Sequence, residues 1–303
     1  MNAALRTPDD AFDALPDFAY APRYVDDLRG FETLRMAYVD EGPPDAEHVF
    51  LCLHGTPTWS FLYRKMIPIF AATGARVVAP DFFGFGRSDK PAGDDTYTFG
   101  FHRDALLRLI ERLDLRRITL VCQDWGGVLG LTLPLDMPDR FARLLAMNTL
   151  LATADFPIGA GWLAWRDYCN ANPDMNIGRL MQRTTPKLSA AEAAAYDAPF
   201  PDARYKAGVR AFPNIVPIAP EMDGAELSRR AREWWRTQWR GRAFLAAGAK
   251  DPVLGIPAME RLNGYVHGAP APVAYADAGH FIQEWGEPVA RDALAAFGDN
   301  AAI

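Results

Sequence analysis

Cysteine is scarce in this sequence. The three cysteines, Cys52, Cys122 and Cys169, have neither the spacing of a zinc site nor the even number of a disulfide framework. Two of them lie in apolar, strand-like runs, where buried reduced thiols are the usual finding. The cysteines therefore argue against a disulfide-stabilised secreted scaffold and favour a cytoplasmic protein.

Runs of basic residues and long hydrophobic runs are also missing. The net charge is −6 with both signs interspersed, which argues against nucleic acid or an anionic membrane as a partner. The most apolar segment, residues 144–165, is interrupted by Asn148, Asp155 and Pro157 and is not predicted to span a membrane. Residues 1–16 are polar and predict no signal peptide.

The chain does contain many apolar residues, which make up 50% of its 303 residues. This is enough for a large core, and a single α/β domain with an insertion is expected. Strand-like runs at residues 33–40, 49–53, 76–79, 118–122 and 141–147 alternate with helical patterns at 59–72, 101–113 and 126–135. The first strand is expected to pair with the segment around Tyr24. The alternation predicts a mostly parallel sheet flanked by helices.

The alternation stops after residue 149. Residues 150–228 contain no strand-like run and predict an inserted helical cap. Strand-like runs return at 243–247 and 273–275, followed by a last helix at 287–297. The predicted organisation is a main domain of residues 1–149 and 229–303, with the cap at 150–228.

A short motif at the end of the third parallel strand predicts a nucleophile. The segment CQDWGG (residues 122–127) follows a strand directly and opens a helix. In α/β hydrolases this sharp turn usually has the pattern G-x-S-x-G and lifts its central residue above the sheet. Here Asp124 takes the place of serine. An isolated aspartate would more often simply cap the helix, but this context favours a catalytic carboxylate.

Two partners for Asp124 follow in the chain order of this fold. Asp251 and His280 each lie just beyond a later strand, so all three side chains are expected at one edge of the sheet. His54 is expected to be structural, holding the loop that supplies an oxyanion donor. The remaining histidines, His48, His102 and His267, are expected on the surface or in helices.

Together these motifs resemble those of the haloalkane dehalogenases, which have the α/β-hydrolase fold. The similarity covers nearly the whole chain and includes HGTPTW (54–59), DFFGFGRSDK (81–90), AGHF (278–281) and the cap segment YDAPFPD (196–202). An acid at Asp251 resembles the subfamily that carries it after the later strand. The alternative acid position holds Asn148, which cannot accept a proton.

The resemblance implies a covalent hydrolysis of small haloalkanes. Asp124 would displace halide and form an alkyl ester, and water activated by His280 would release a primary alcohol while Asp251 orients the imidazole. A serine in this role would leave an ether, which His and water cannot cleave. Oxyanion donors are expected from the backbone N–H groups of Thr56 and Trp125. The family often has an acidic or amide side chain where Thr56 stands; because the donor is expected from the backbone, this departure bears on the tuning of the reaction rather than on its chemistry.

The leaving halide needs donors in a dry pocket, and an indole N–H is such a donor. The resemblance assigns this role to Trp125 and to one cap tryptophan, for which Trp165 is preferred and Trp162 is the alternative. The predicted pocket residues are Phe156, Phe200, Phe212, Val253 and Leu254. The expected partners are a small apolar halogenated substrate and halide, with no metal, no organic cofactor and a monomeric chain.

Two other functions fit the same fold. An epoxide hydrolase would also use an aspartate nucleophile, but commonly with histidine before it, where this chain has Gln123. It would also need paired cap tyrosines, for which the candidates are Tyr168, Tyr196 and Tyr205. The non-enzymatic alternative is a hydrolase-fold ligand-binding protein. Such proteins commonly lose a triad member, whereas all three are present here.

Overall fold

The computed structural model describes residues 4–157 and 159–299. Ten β-strands occur in these ranges: β1 (Ala4–Leu5), β2 (Arg23–Val25), β3 (Met36–Glu41), β4 (Val49–Leu53), β5 (Arg76–Pro80), β6 (Lys90–Pro91), β7 (Ile118–Gln123), β8 (Phe141–Met147), β9 (Arg242–Gly248) and β10 (Val273–Tyr275). The α-helices of the same ranges are α1 (Ile67–Ala71), α2 (Phe99–Arg112), α3 (Trp125–Gly130), α4 (Ala160–Ala171), α5 (Ile177–Thr184), α6 (Ala190–Asp197), α7 (Ala207–Ile215), α8 (Ala225–Thr237), α9 (Ile256–Asn263) and α10 (Gly286–Phe297).

Eight of the strands form one sheet in the order β10-β9-β8-β7-β4-β5-β3-β2. Strands β4, β5, β7, β8, β9 and β10 run parallel, whereas β3 pairs antiparallel with β5 and with β2. Every residue of β4 and β7 is buried, as expected for central parallel strands covered on both faces. The predicted mostly parallel sheet is therefore confirmed, including the pairing of Tyr24 with Ala37.

Two predicted helices are shorter than expected. In place of a helix at residues 59–72 the chain has a 3₁₀ turn, Ser60–Tyr63, and then α1, which begins just before Pro68. Helix α3 ends at Gly130, and Pro134 follows within a 3₁₀ turn. Proline lacks the N–H that an α-helix interior requires, which fits the place of Pro68 in the first turn of α1 and of Pro134 beyond the end of α3.

Between β8 and β9, the described residues form helices α4 to α8 and no strand. Helix α8 runs without interruption across the predicted cap boundary at residues 228 and 229. Its Trp235 donates from Nε1 to the carbonyl of Leu131 in the main domain at 2.7 Å. The return from the insertion is thus a continuous helix anchored on the main domain.

A buried charge cluster joins the insertion to the rest of the molecule. The side chain of Arg64 is fully buried. Its guanidinium donates to both carboxylate oxygens of Glu284 at 2.7 Å and to the Glu192 carboxylate of α6, also at 2.7 Å. Tyr196, also in α6, donates to the Glu284 carboxylate. Helix α6 is therefore held to the segment that follows His280.

Candidate active site

Asp124 lies at a strained turn between β7 and α3. Its backbone has φ 52° and ψ −125°, a region that costs energy for a residue with a side chain. Two glycines near Asp124, Gly126 in the same segment and Gly55 in the loop after β4, leave the space that this turn needs. A Cβ on Gly126 would lie 2.0 Å from the Leu53 carbonyl oxygen, and one on Gly55 would lie 2.2 Å from Asp124 Oδ1. This is the close packing expected of a nucleophile elbow.

The three residues predicted as a triad come together at the carboxyl edge of the sheet. Asp251 follows β9, and His280 follows β10. His280 Nδ1 lies 2.7 Å from Asp251 Oδ2, and His280 Nε2 lies 3.6 Å from Asp124 Oδ2. The imidazole therefore bridges the two carboxylates, with Asp251 on one ring nitrogen and Asp124 facing the other.

The electrostatics of this bridge favour a charged imidazole beside two carboxylates. Burial lowers the pKa of His280, but the negative charges of Asp251 and Asp124 outweigh it and raise the pKa to about 10. Burial raises the pKa of Asp251, but His280 and the hydrogen bonds from Asn148 and Val253 outweigh that effect and lower it to about 2. Asp251 is thus an ionised, fully buried carboxylate.

Asn148 supports Asp251. Its Nδ2 donates to Asp251 Oδ2 at 2.8 Å, while its Oδ1 accepts from the backbone N–H of Gly248 at 2.7 Å. The second carboxylate oxygen, Asp251 Oδ1, accepts from the N–H of Val253 at 2.8 Å. Both oxygens of the acid are therefore fixed by donors, which holds the carboxylate against His280.

The loop after β4 supplies a donor to the nucleophile. The backbone N–H of Thr56 donates to Asp124 Oδ1 at 2.9 Å. The N–H of Trp125 is the first of helix α3, where backbone donors have no partner within the helix. His54 holds this loop, since its Nδ1 is 2.9 Å from the Gly55 carbonyl oxygen and its Nε2 accepts from the N–H of Phe82 at 2.9 Å. Burial lowers the pKa of His54 to about 4, which fits a neutral structural histidine.

A cavity of about 370 Å³ opens above the nucleophile. The three triad residues, Thr56 and Trp125 line its floor. The rest of its wall is mostly apolar and includes Val128, Leu150, Leu180, Val216, Val253 and Leu254. In the described part of the chain, no three His, Cys, Asp or Glu side chains are grouped so as to hold a metal ion. The site combines a carboxylate at a strained turn, an imidazole and backbone donors with a small apolar chamber.

The chain also matches known proteins over most of its length. Residues 48–287 match the family model described as the α/β-hydrolase fold. A haloalkane dehalogenase from Psychrobacter cryohalolentis is 45% identical over 303 residues, with 98% of both chains covered. Haloalkane dehalogenase 1 from Mycobacterium tuberculosis is 43% identical over 287 residues, covering 92% of this chain and 93% of the relative. The chain belongs to the haloalkane dehalogenases.

A solved structure agrees with this assignment. The haloalkane dehalogenase from Paraglaciecola agarilytica is 51% identical, with a TM-score of 0.95 over 97% of this chain and 99% of that one. The predictions of fold, family and hydrolysis of carbon–halide bonds are therefore confirmed. That related structure is described as tetrameric, so the expectation of a monomer has no support. No helix in the described residues is long and apolar enough to cross a membrane.

The tryptophans predicted to bind halide all border the cavity of the enzyme. Trp125 lies at its floor and is 3% exposed, and no protein acceptor contacts its indole N–H within the described residues. Trp162 and Trp165 both project from α4 into the cavity wall. Trp165 stacks with Tyr168 at a ring distance of 6.1 Å, whereas Trp162 also borders a second cavity of about 270 Å³. Both cap tryptophans stay candidates for the second donor.

The predicted pocket residues divide into two groups. Val253 and Leu254 line the catalytic cavity as expected. The three phenylalanines do not line it, and their prediction was wrong. Phe156 is 43% exposed and borders the second cavity, Phe200 is buried against Phe85, and Phe212 packs behind Trp125 at a ring distance of 4.7 Å.

Several lining residues were not predicted. Tyr168, Leu180, Thr184 and Val216 reach the cavity from the cap helices and the loop after them. In the sequence they are ordinary positions of amphipathic helices, and nothing distinguishes them from core residues. Of the tyrosines considered for epoxide opening, Tyr168 lines the cavity, whereas Tyr196 is bound to Glu284 in the buried charge cluster. The paired cap tyrosines of an epoxide hydrolase are thus not formed by Tyr168 and Tyr196.

Proposed function

We propose that the enzyme removes halide from small apolar haloalkanes in two steps, through an alkyl ester on Asp124. The observation that carries the proposal is the presence of a carboxylate at the elbow, bound at Oδ1 by the Thr56 N–H and facing His280 Nε2 with Oδ2. A carboxylate displaces halide from a saturated carbon and leaves an ester, which water can cleave.

In the first step an oxygen of Asp124 bonds to the carbon as the carbon–halogen bond breaks. The halide leaves with the bonding electrons and needs donors in a cavity that is largely without polar groups. We assign this role to the indole N–H groups of Trp125 and Trp165. Since the halide is an anion in an apolar chamber, two such donors stabilise the developing charge.

In the second step water attacks the carbonyl carbon of the ester. His280 Nε2 takes a proton from the water, and Asp251 stabilises the imidazolium that forms. The N–H groups of Thr56, which already donates to Asp124 Oδ1, and of Trp125 stabilise the oxyanion. The tetrahedral intermediate then expels the alcohol, which takes the proton from His280. The Asp124 carboxyl group releases the remaining proton of the water to solvent and is regenerated as a carboxylate.

The cavity supports a preference for short substrates. Its volume of about 370 Å³ and its mostly aliphatic wall fit a small apolar chain and offer few groups for a polar one. We infer that the product is a primary alcohol. A cytoplasmic location is also part of the proposal, and it is supported by the three cysteines, which are all buried and unpaired.

Isotope labelling tests the covalent step. In a single turnover of 1-bromobutane in heavy-oxygen water, we expect the label in the Asp124 carboxylate and ordinary oxygen in the alcohol, because water attacks the ester carbonyl. Peptide mass spectrometry locates the label, and halide release confirms the turnover. Label that appears in the alcohol of the first turnover would mean that water attacks the substrate directly, and it would exclude the ester.

Bromide binding tests the assignment of the second tryptophan. We expect Trp165→Phe to weaken bromide binding roughly 10-fold, the effect of losing one hydrogen bond to a charged group. Quenching of tryptophan fluorescence by bromide measures the affinity. Trp162→Phe is the matched control on the same helix and should bind bromide as the unmodified enzyme does. If Trp162→Phe weakens bromide binding and Trp165→Phe leaves it unchanged, Trp162 is the second donor.

A further inference from the structure

Gln123 lies directly before the nucleophile and contacts the catalytic base. It is the last residue of β7, and its side chain is fully buried. Its Nε2 lies 3.2 Å from the backbone carbonyl oxygen of His280 and 3.0 Å from His280 Nε2. On the other side, Gln283 Nε2 approaches Gln123 Oε1 at 3.4 Å. The amide is therefore packed between the base and a second buried amide.

The neighbours of Gln123 determine which way its amide points. A backbone carbonyl can only accept a hydrogen bond, so the Gln123 group that faces the His280 carbonyl must be the NH₂. The same NH₂ then presents a hydrogen to His280 Nε2. That nitrogen can accept it only when it carries a lone pair. At Nδ1, by contrast, the carboxylate of Asp251 requires an N–H.

Gln123 and Asp124 thus favour opposite protonation states of His280 Nε2. The charged groups that face the imidazole are Asp251 at Nδ1 and Asp124 at Nε2, and both favour its protonated form. The amide of Gln123 favours the neutral form with a free Nε2 lone pair. In the free enzyme the negative charges of Asp251 and Asp124 favour the protonated imidazole, and the dipole of the Gln123 amide opposes them. Once Asp124 is an ester, its charge is gone and the amide remains.

We propose that Gln123 is a positioning residue whose amide holds His280 as the neutral, Nδ1-protonated base during hydrolysis of the Asp124 ester. The inference rests on the two-step mechanism proposed above. Alkylation of Asp124 removes the charge that favours a proton on Nε2, and the amide then stabilises the form of the ring that can accept a proton from water. When Nε2 takes that proton, Gln123 keeps its bond to the His280 carbonyl.

The pH dependence of ester hydrolysis tests this role. Methionine has a size similar to that of glutamine but no hydrogen-bond donor. In Gln123→Met, the pH at which ester hydrolysis reaches half its maximal rate (the midpoint) should rise by about one unit, because the neutral imidazole loses one buried hydrogen bond. Gln123→Glu places an acceptor on Nε2 and should raise the midpoint further. The initial burst of halide should be largely retained in both variants. Mass spectrometry of the ester over time gives the hydrolysis rate at each pH.

A control on the same strand separates this role from packing. Thr119 is fully buried in β7, and its hydroxyl has no partner in the described structure. Thr119→Val should leave the midpoint unchanged. An unchanged midpoint in Gln123→Met and Gln123→Glu, or the same shift in Thr119→Val, would overturn the inference. Absence of any ester would instead contradict the two-step mechanism.

An NMR titration of His280 tests the same role without turnover, and it applies even if the Gln123 variants are too unstable for kinetics. Asp124→Asn is uncharged at the elbow, as the ester is. Nitrogen NMR of labelled histidine in this variant should show His280 with an unprotonated Nε2 at neutral pH. Adding Gln123→Met should raise the midpoint of this titration, and an identical midpoint with and without Gln123 would refute the role.

Discussion

Replacing His280 with phenylalanine should stop the enzyme after one halide. Without the base, the ester on Asp124 cannot be hydrolysed, so we expect steady-state turnover to fall by about 10³-fold, in the range typical of general-base catalysis. One equivalent of halide should still be released in a burst. Intact-protein mass spectrometry after exposure to a bromoalkane should show the mass of one alkyl adduct.

The control for this experiment is His267, which is exposed and outside the cavity. His267→Phe should turn over normally and show no adduct. An inactive His280→Phe protein that is folded yet unmodified after long exposure would contradict a covalent ester. Digestion of the adduct should place the alkyl group on the peptide that contains Asp124.

The second large effect is expected for Asp251→Asn. The Val253 N–H, the Asn148 amide and His280 Nδ1 all donate toward the Asp251 carboxylate. In either orientation, the NH₂ of an asparagine at this position would face at least one of these donors. The imidazole would lose its correct tautomer and its charge partner, and we expect turnover to fall by about 10⁴-fold, as for the buried aspartate of other hydrolytic triads. Steady-state halide release at several pH values measures the loss.

Asp277→Asn is the matched control for this substitution. Its carboxylate is exposed and paired with Lys250 on the surface. We expect no change in turnover there, since an exposed ion pair contributes little. Near-normal turnover in Asp251→Asn would mean that another group orients His280.

The triad could be predicted because its members depend on topology. Asp124, Asp251 and His280 each follow a strand of a parallel sheet, and the carboxyl ends of such strands lie at one edge. The turn at Asp124 has an additional local signal in Gly126, which the close approach of the Leu53 carbonyl makes necessary. The order of strands, turns and helices was therefore sufficient to predict that these three side chains meet, while their catalytic roles stay a prediction.

The cavity wall could not be predicted in the same way. Whether a phenylalanine faces the substrate depends on how the cap helices pack, and hydrophobicity does not report this. Phe212 lies close to the site but turns toward Trp125 and Phe85, so it supports the wall from behind. The sequence did not separate Trp162 from Trp165 for a related reason, because both project from one helix into the same space.

The contact between Gln123 and His280 was also missed. The sequence showed only that this position lacks the histidine common in epoxide hydrolases. The hydrogen bond joins residues 157 positions apart in the chain, and it depends on the exact height of the His280 loop above β7. Secondary-structure patterns contain no signal at that level of detail.

The buried cluster around Arg64 fastens one helix of the insertion to the segment that carries His280. Glu284 lies four residues beyond His280 and is held between Arg64 of the main domain and Tyr196 of α6. Movement of α6 away from the main domain would break the Arg64–Glu192 ion pair and the Tyr196–Glu284 hydrogen bond, so we expect α6 to stay in place. Helix α4 has no salt bridge to the main domain among the described residues, and its tryptophans are partly exposed. Charged contacts therefore hold α6, and with it the segment after His280, more firmly to the main domain than they hold α4.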